Sequence, residues 1–492
     1  KISVMKKIFT IIGLFALTSV HAQYFQWRFN LDYTTPQLRD ERFNSGIVTR
    51  LNYIAGVPAN FYHAGIGTSY NNTALPAPNN VADRMRFTTL GTIGAVLFSN
   101  LGYEFSDPGA TPFHSSGNGI AEIDDGAGTG GYVTVGAVAN NSTTAAAGIA
   151  GNSDALIAQL TTGGGVVAST RIDINGGKDV AWCIRKSAVL VGGFPTWIVC
   201  GESKKGANYT DCFVARVLAN GTIVWCFRYN FDPTASATGF NTAHCVANQL
   251  CEDAAGNIYA VGTLIDNPVA AWGTDGLAFK LTPAGAVVWA RNYHLFTDDE
   301  FQAVRLSFDG NIVIGGFTNF AAAAPVTHHM LIIKLTAAAG APMFQNVLPA
   351  VDAAGTVYTS RAYDIIEVLG VGGLAVQYYL AGPVLKGNQV SQMMHRANGA
   401  GISINWYKYN RMKYDVGFGI DYENASATPG ISYFSSFRNK SVAPVVSDGH
   451  IMKLDFLGRT CKFCGNNPPN NVNIQMQVFT RQWQQWQDGI QK

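Results

Sequence analysis

The sequence predicts an all-β protein, a seven-bladed β-propeller of four-stranded antiparallel blades whose last blade is closed by N- and C-terminal strands, plus terminal extension arms. Three observations predict it. An Asp-strand-Gly turn-strand phrase ending near Trp recurs along the chain, as Asp211-CFVARVLANGTIVW-Cys226 and Asp275-GLAFKLTPAGAVVW-Ala290, and more faintly from Asp154 and Asp448. Apolar and polar residues alternate with the two-residue period of half-buried strands. The last copy is incomplete, and the segment near the N-terminus holds what it lacks.

From the N-terminus, Met5 to Ala22 joins two lysines, an apolar run and a Val20-His21-Ala22 end, the layout of a secretory signal peptide. The run is too short to cross a bilayer core of about 30 Å. A soluble exported protein starting near Gln23 is therefore expected, with no membrane span in the mature chain. The 492 residues are 47% hydrophobic and 13% charged with a net charge of +2, enough for a large core and too little positive charge for a nucleic-acid partner.

The unit is clearest from Asp275. It reads as strand Leu277 to Leu281, turn Pro283-Ala284-Gly285, strand Val287 to Arg291, an acidic loop at Asp298-Asp299-Glu300, strand Ala303 to Phe308, turn Asp309-Gly310-Asn311 and strand Ile312 to Phe317. Four antiparallel strands repeated around a centre are propeller blades. Units start near Asp83, Asp154, Asp211, Asp275, His329, Ser391 and Asp448. The last supplies two strands up to Cys464, while Gly46 to Tyr53 and Phe61 to Thr68 read as an orphan third and fourth strand. Joining them predicts a two-plus-two closing blade, which removes open sheet edges; the competing count is eight blades. The organisation is thus a signal peptide over 5–22, an N-terminal arm over 23–44, a propeller over 45–464 and a strand-like C-terminal arm over 465–492.

The run from Asp211, followed by Glu252-DAAGNIYAVG-Thr263, resembles the secreted bacterial β-propeller repeats known as SBBP repeats, found in exported proteins of Bacteroidota-like bacteria. The resemblance covers about 205 to 320 well and the flanking repeats faintly. It implies a secreted scaffold and carries no catalytic motif.

The arms are the unusual part. Phe25, Trp27 and Phe29 alternate in one, and Val472, Ile474, Met476 and Val478 alternate in the other ahead of Trp483 and Trp486. Such strands need a partner edge, either the chain's own outer blade or a neighbouring subunit joined by strand addition; a disordered tail is the remaining reading. The second arrangement is head-to-tail and generates filaments.

Eight cysteines suit an oxidising compartment. Cys183, Cys200, Cys212, Cys226, Cys245 and Cys251 cluster in neighbouring repeats, and Cys461 and Cys464 stand apart with the spacing of a local bridge or a redox pair. About a hundred pairings are open to eight cysteines, so connectivity is not legible. Trp225, Trp289 and Trp406 occupy positions resembling those in quinone-dependent dehydrogenase blades, but no cofactor motif accompanies them and inter-blade packing explains them. His328-His329 reads as surface or loop histidines, and Asp298-Asp299-Glu300 as a solvated acidic turn without the spaced ligands of a calcium loop. No Gly-x-Ser-x-Gly, no His-Glu-x-x-His and no phosphate-cradling loop occurs.

The expectation is a non-enzymatic extracellular structural or interaction protein with no catalytic residue, cofactor or metal. Its partners would be itself, as a homo-oligomer or filament, or a cell-surface protein or glycan. A carbohydrate- or protein-binding module would use aromatics such as Tyr378, Tyr379, Tyr407 and Tyr409, and an enzyme would place its site in the central channel.

Overall fold

The computed structural model describes the chain from residue 27 to residue 491 apart from connecting segments, the longest being 32–39, 50–61, 71–83, 106–113, 140–152, 232–242 and 455–463. The expected signal peptide lies outside the described residues. Every element described is a strand, and no helix long and apolar enough to cross a membrane is present among them.

The strands form successive antiparallel meanders. N-terminal β1 (Trp27–Leu31) stands apart from the first meander, which contains β2 (Asp40–Thr49), β3 (Tyr62–Tyr70), β4 (Arg84–Leu90) and β5 (Val96–Ser99). The second runs β6 (Ser115–Ile123), β7 (Gly131–Ala139), β8 (Ser153–Thr161) and β9 (Val166–Asp173). The third runs β10 (Lys178–Val191), β11 (Phe194–Lys205), β12 (Tyr209–Leu218) and β13 (Ile223–Asn230). The fourth runs β14 (Ala243–Glu252), β15 (Ile258–Asp266), β16 (Thr274–Leu281) and β17 (Val287–His294). The fifth runs β18 (Asp299–Leu306), β19 (Ile312–Asn319), β20 (His328–Leu335) and β21 (Pro342–Leu348). In the sixth, the β22 (Ala350–Val351) and β23 (Val357–Ser360) hairpin joins β24 (Asp364–Val368), β25 (Gln377–Lys386), β26 (Gln389–Asn398) and β27 (Ser403–Tyr409). The seventh has β28 (Asp415–Glu423), β29 (Gly430–Asn439) and β30 (Val446–Leu454), and its fourth strand is β1, paired Trp27 to Lys453 through Leu31 to Gly449.

These pairings correct the repeat frame. Each recurring Asp opens the third strand of a meander: Asp154 lies in β8, Asp211 in β12, Asp275 in β16 and Asp448 in β30. The repeat read from Asp275 therefore joins the last two strands of one sheet to the first two of the next. The two-plus-two closure fails for the same reason. Gly46 to Tyr53 and Phe61 to Thr68 fall on β2 and β3, which pair with each other and onward to β4, so the shared sheet is three strands from the C-terminal side and β1 from the other.

Cores lie between successive sheets. Cys200, Val214 and Tyr229 of the third meander pack with Leu250, Phe279 and Ala290 of the fourth, and equivalent clusters join each consecutive pair from the first meander to the seventh. The seventh also meets the first: a Cβ on Gly46 would sit 2.2 Å from Phe434, and Asp421 Oδ2 accepts the Val48 N–H at 2.7 Å. Fourth-strand tyrosines latch one sheet to the next, since Tyr229 donates to the Gly285 carbonyl at 2.7 Å and Tyr293 to that of Gly340 at 2.6 Å. Gly285 and Gly340 turn with φ of 86° and 65°, which favours glycine, and the turns rest on the tryptophans of the preceding meander, Trp225 and Trp289. Trp289 reaches Ala337 O of the fifth meander at 3.3 Å, and Trp406, which bonds Val351 O of its own sheet at 3.1 Å, lies in the core shared with the fifth, so these rings pack between sheets as expected.

A charged device repeats as well. Glu252 ends the first strand of the fourth meander and receives Arg216 at 3.0 Å, Ser187 at 2.9 Å and the Ala188 N–H at 2.6 Å from the third. Glu367 holds the equivalent place two meanders on, receiving Ser307 at 2.7 Å while Lys334 donates to Ser307 at 2.8 Å. Buried charge is tolerable here because each group has a partner across the inter-sheet gap.

Candidate functional site

The molecule offers three regions for function: the centre, the outer edge and the junctions between meanders. At the centre, first strands carry a β-bulge at Asn44, Asn118 and Asn248. Each bulged amide donates to the next meander, Asn44 to Gly117 O at 2.7 Å, Asn118 to Ala181 O at 3.0 Å and Asn248 to Phe301 O at 2.9 Å. Further round, Arg305 pairs with Asp364 at 2.8 Å and contacts Gln249 at 2.6 Å, while Asp364 also accepts the Ile420 N–H at 3.1 Å. Burial raises the Asp421 carboxyl, eased by the backbone N–H groups of Val48 and Tyr422. These groups tie first strands to one another.

The outer edge holds the arms. The C-terminal segment supplies β31 (Cys464–Asn467), β32 (Val472–Asn473), β33 (Gln477–Thr480), β34 (Gln484–Gln487) and β35 (Ile490–Gln491). They pair antiparallel with β27, β21, β17, β13 and β9 in turn, the outermost strands of the sixth, fifth, fourth, third and second meanders. The tail therefore runs backwards along the molecule and adds one short strand to each sheet it passes.

This corrects the expectation of one strand through Val472, Ile474, Met476 and Val478. Val472 belongs to β32 and Val478 to β33 on different sheets, because neighbouring outer edges are separate and the chain must step between them; Ile474 lies outside the described residues. Met476 is buried and Val478 partly so, both in the core between the fourth and fifth meanders. Trp483 is exposed, and Trp486 stands opposite Arg228 in register. At the other end Trp27 and Phe29 are in β1, and Phe25 lies outside the described residues. Arg481 gives no signal in the sequence, where it stands among amides in the tail. It is buried, donates to Asn292 Oδ1 at 2.7 Å and stands 3.9 Å from Asp275.

At the junctions, the recurring Asp is neutralised differently each time. Asp211 receives Arg228 at 2.8 Å and Asn230 at 2.5 Å. Asp275 receives Asn292 and is 2.7 Å from His294 Nδ1. Asp299 belongs to this same cluster, which corrects the solvated-turn expectation. It is fully buried at the start of β18, its Oδ2 accepts the N–H groups of Leu295 and Phe296, and burial pushes its carboxyl up to about 6. Asp154 meets two further carboxylates, Asp173 and Asp179. His328 and His329 are strand residues of β20 and not loop histidines; His329 is buried and held down to about 4 by desolvation.

Cys183, Cys200, Cys212, Cys226, Cys245 and Cys251 are all buried and joined by no disulfide. Cys183 faces Cys200 across β10 and β11, and the Cys212 thiol interacts with that of Cys245 in the next meander. Burial pushes the thiols of Cys200 and Cys212 well above their usual range. Cys461 lies outside the described residues and Cys464 opens β31. Tyr378, Tyr379, Tyr407 and Tyr409 are buried strand residues, which removes them as sugar-stacking loop aromatics.

No known protein family and no curated protein matches this chain. Among solved structures, it is similar to Sqt1 from Chaetomium thermophilum at 8% identity and a TM-score of 0.42, covering 87% of this chain and 100% of that one. The parainfluenza virus 5 hemagglutinin-neuraminidase ectodomain aligns at 10% identity and a TM-score of 0.36, covering 92% and 95%. An apocarotenoid oxygenase from Synechocystis aligns at 8% identity and a TM-score of 0.42, covering 91% and 96%.

Proposed function

We propose that this chain is a non-enzymatic, exported structural or interaction protein: a closed ring of seven four-stranded blades that assembles with further copies of itself through its terminal arms. The supporting observation is the tail, whose five short strands lie on the outer edges of five consecutive meanders. An edge that accepts this tail within one chain has the same hydrogen-bonding complement for the tail of another, and head-to-tail exchange of that kind propagates into a filament. The central polar groups being engaged with one another favours a scaffold over a central-channel enzyme, and the signal-like leader together with the resemblance to SBBP repeats favours export. In an oxidising compartment the facing thiols would form Cys183–Cys200 and Cys212–Cys245 bridges.

Deleting residues 470–492 is expected to abolish ordered assemblies of the native protein in size-exclusion chromatography and negative-stain electron microscopy. Ordered filaments formed by the truncated chain would overturn this function. The bridges are checked separately by peptide mapping without reductant, where free thiols at all four positions would refute them.

A further inference from the structure

We infer that Asp154, Asp173 and Asp179 form a site for one divalent cation of hard, oxygen-preferring chemistry, calcium foremost, at the junction of the second and third meanders. One ligand atom from each residue lies within 4.8 Å of the others. The three residues come from different strands, the start of β8, the end of β9 and the start of β10, so the sheet scaffold and not a local acidic run brings them together.

The internal repeat supplies the comparison. Asp154, Asp211 and Asp275 open equivalent third strands, and Asp173, Asn230 and His294 end equivalent fourth strands. At the Asp211 junction an arginine and an amide meet the carboxylate, and at the Asp275 junction an amide, an imidazole and the tail's Arg481 do so. At the Asp154 junction the amide or imidazole position carries a third carboxylate instead. An arginine stands there too, Arg171, whose Nε is 3.9 Å from Asp154 Oδ2.

Asp179 provides the second observation. Its side chain is 0% exposed, Oδ2 accepts the Ile174 N–H at 2.7 Å, and Oδ1 is buried without a hydrogen-bond partner. The carboxyl is served by the Ile174 N–H and the Ser203 hydroxyl, and its Oδ1, beside two other carboxylates, is the atom without a hydrogen bond of its own, where buried oxygens ordinarily have one. Asp173, half-buried, turns its Oδ1 to the Gly176 N–H at 2.6 Å and closes the loop that leads into β10. The donor set is all oxygen, which suits calcium, magnesium or manganese over zinc or copper.

The full-length protein, treated with chelator and dialysed, is titrated with calcium chloride and in parallel with magnesium and manganese chlorides, reading binding by equilibrium dialysis and stability by thermal unfolding. One saturable cation per chain and a raised unfolding temperature are expected. Asp173→Asn, at the partly exposed position, should weaken binding by about tenfold or more, and Asp179→Asn should do the same. Asp299→Asn, at the equivalent junction two meanders on, should leave the affinity unchanged. No binding of any of the three ions by the parent protein would overturn the site, as would unchanged affinity in Asp173→Asn, which does not depend on altering a fully buried group.

Discussion

At the scale of single residues, the chain places titratable groups where burial dominates. His395 in β26 is 0% exposed with Nε2 2.7 Å from Ser403 Oγ, and desolvation holds its pKa down to about 3. Its unfolded value is near 6.5, so the unfolded state binds the proton first. The stability that comes from keeping this ring neutral is present above about pH 6.5 and lost as the pH falls toward 3. Between pH 6.5 and 4.5 the loss amounts to at most about 3 kcal/mol. His395→Gln should flatten the acid limb of a denaturant-unfolding series by that amount, and parallel limbs would refute it. Histidine content gave no sign of this, because burial depends on which strand face a residue takes. The recurring Asp was legible as a repeat marker, whereas its role at the inter-sheet junction was not, since its partners come from the next strand and from the tail.

Elements were legible where local pattern decides them. The strands around Asp275, the Gly285 and Gly310 turns and the packed tryptophans all follow from alternation and turn chemistry. Sheet membership was not, because the same four strands can be cut into repeats in two phases and only long-range pairing chooses. β1 shows the consequence: an aromatic arm without an evident partner is the fourth strand of the seventh meander. Removing residues 23–39 would bare the β30 edge, and unprotected edges associate. Light scattering is expected to show concentration-dependent aggregation, with unfolding lowered by a few degrees. A monomeric variant that unfolds like the parent would show that β1 is dispensable.

Across the whole molecule, each sheet rests its two faces on its neighbours, so no single meander has a complete core of its own. The alternating tail announced strands, but not that they would be dealt out to five meanders. Order of synthesis gives that arrangement a further meaning. The tail follows all seven meanders in the chain, so the outer edges it covers are synthesised before the strands that pair with them. During that interval, on the proposed assembly, each edge is open to the tail of another copy as well as to its own tethered one, and the concentration of neighbouring copies sets how often the other arrives first.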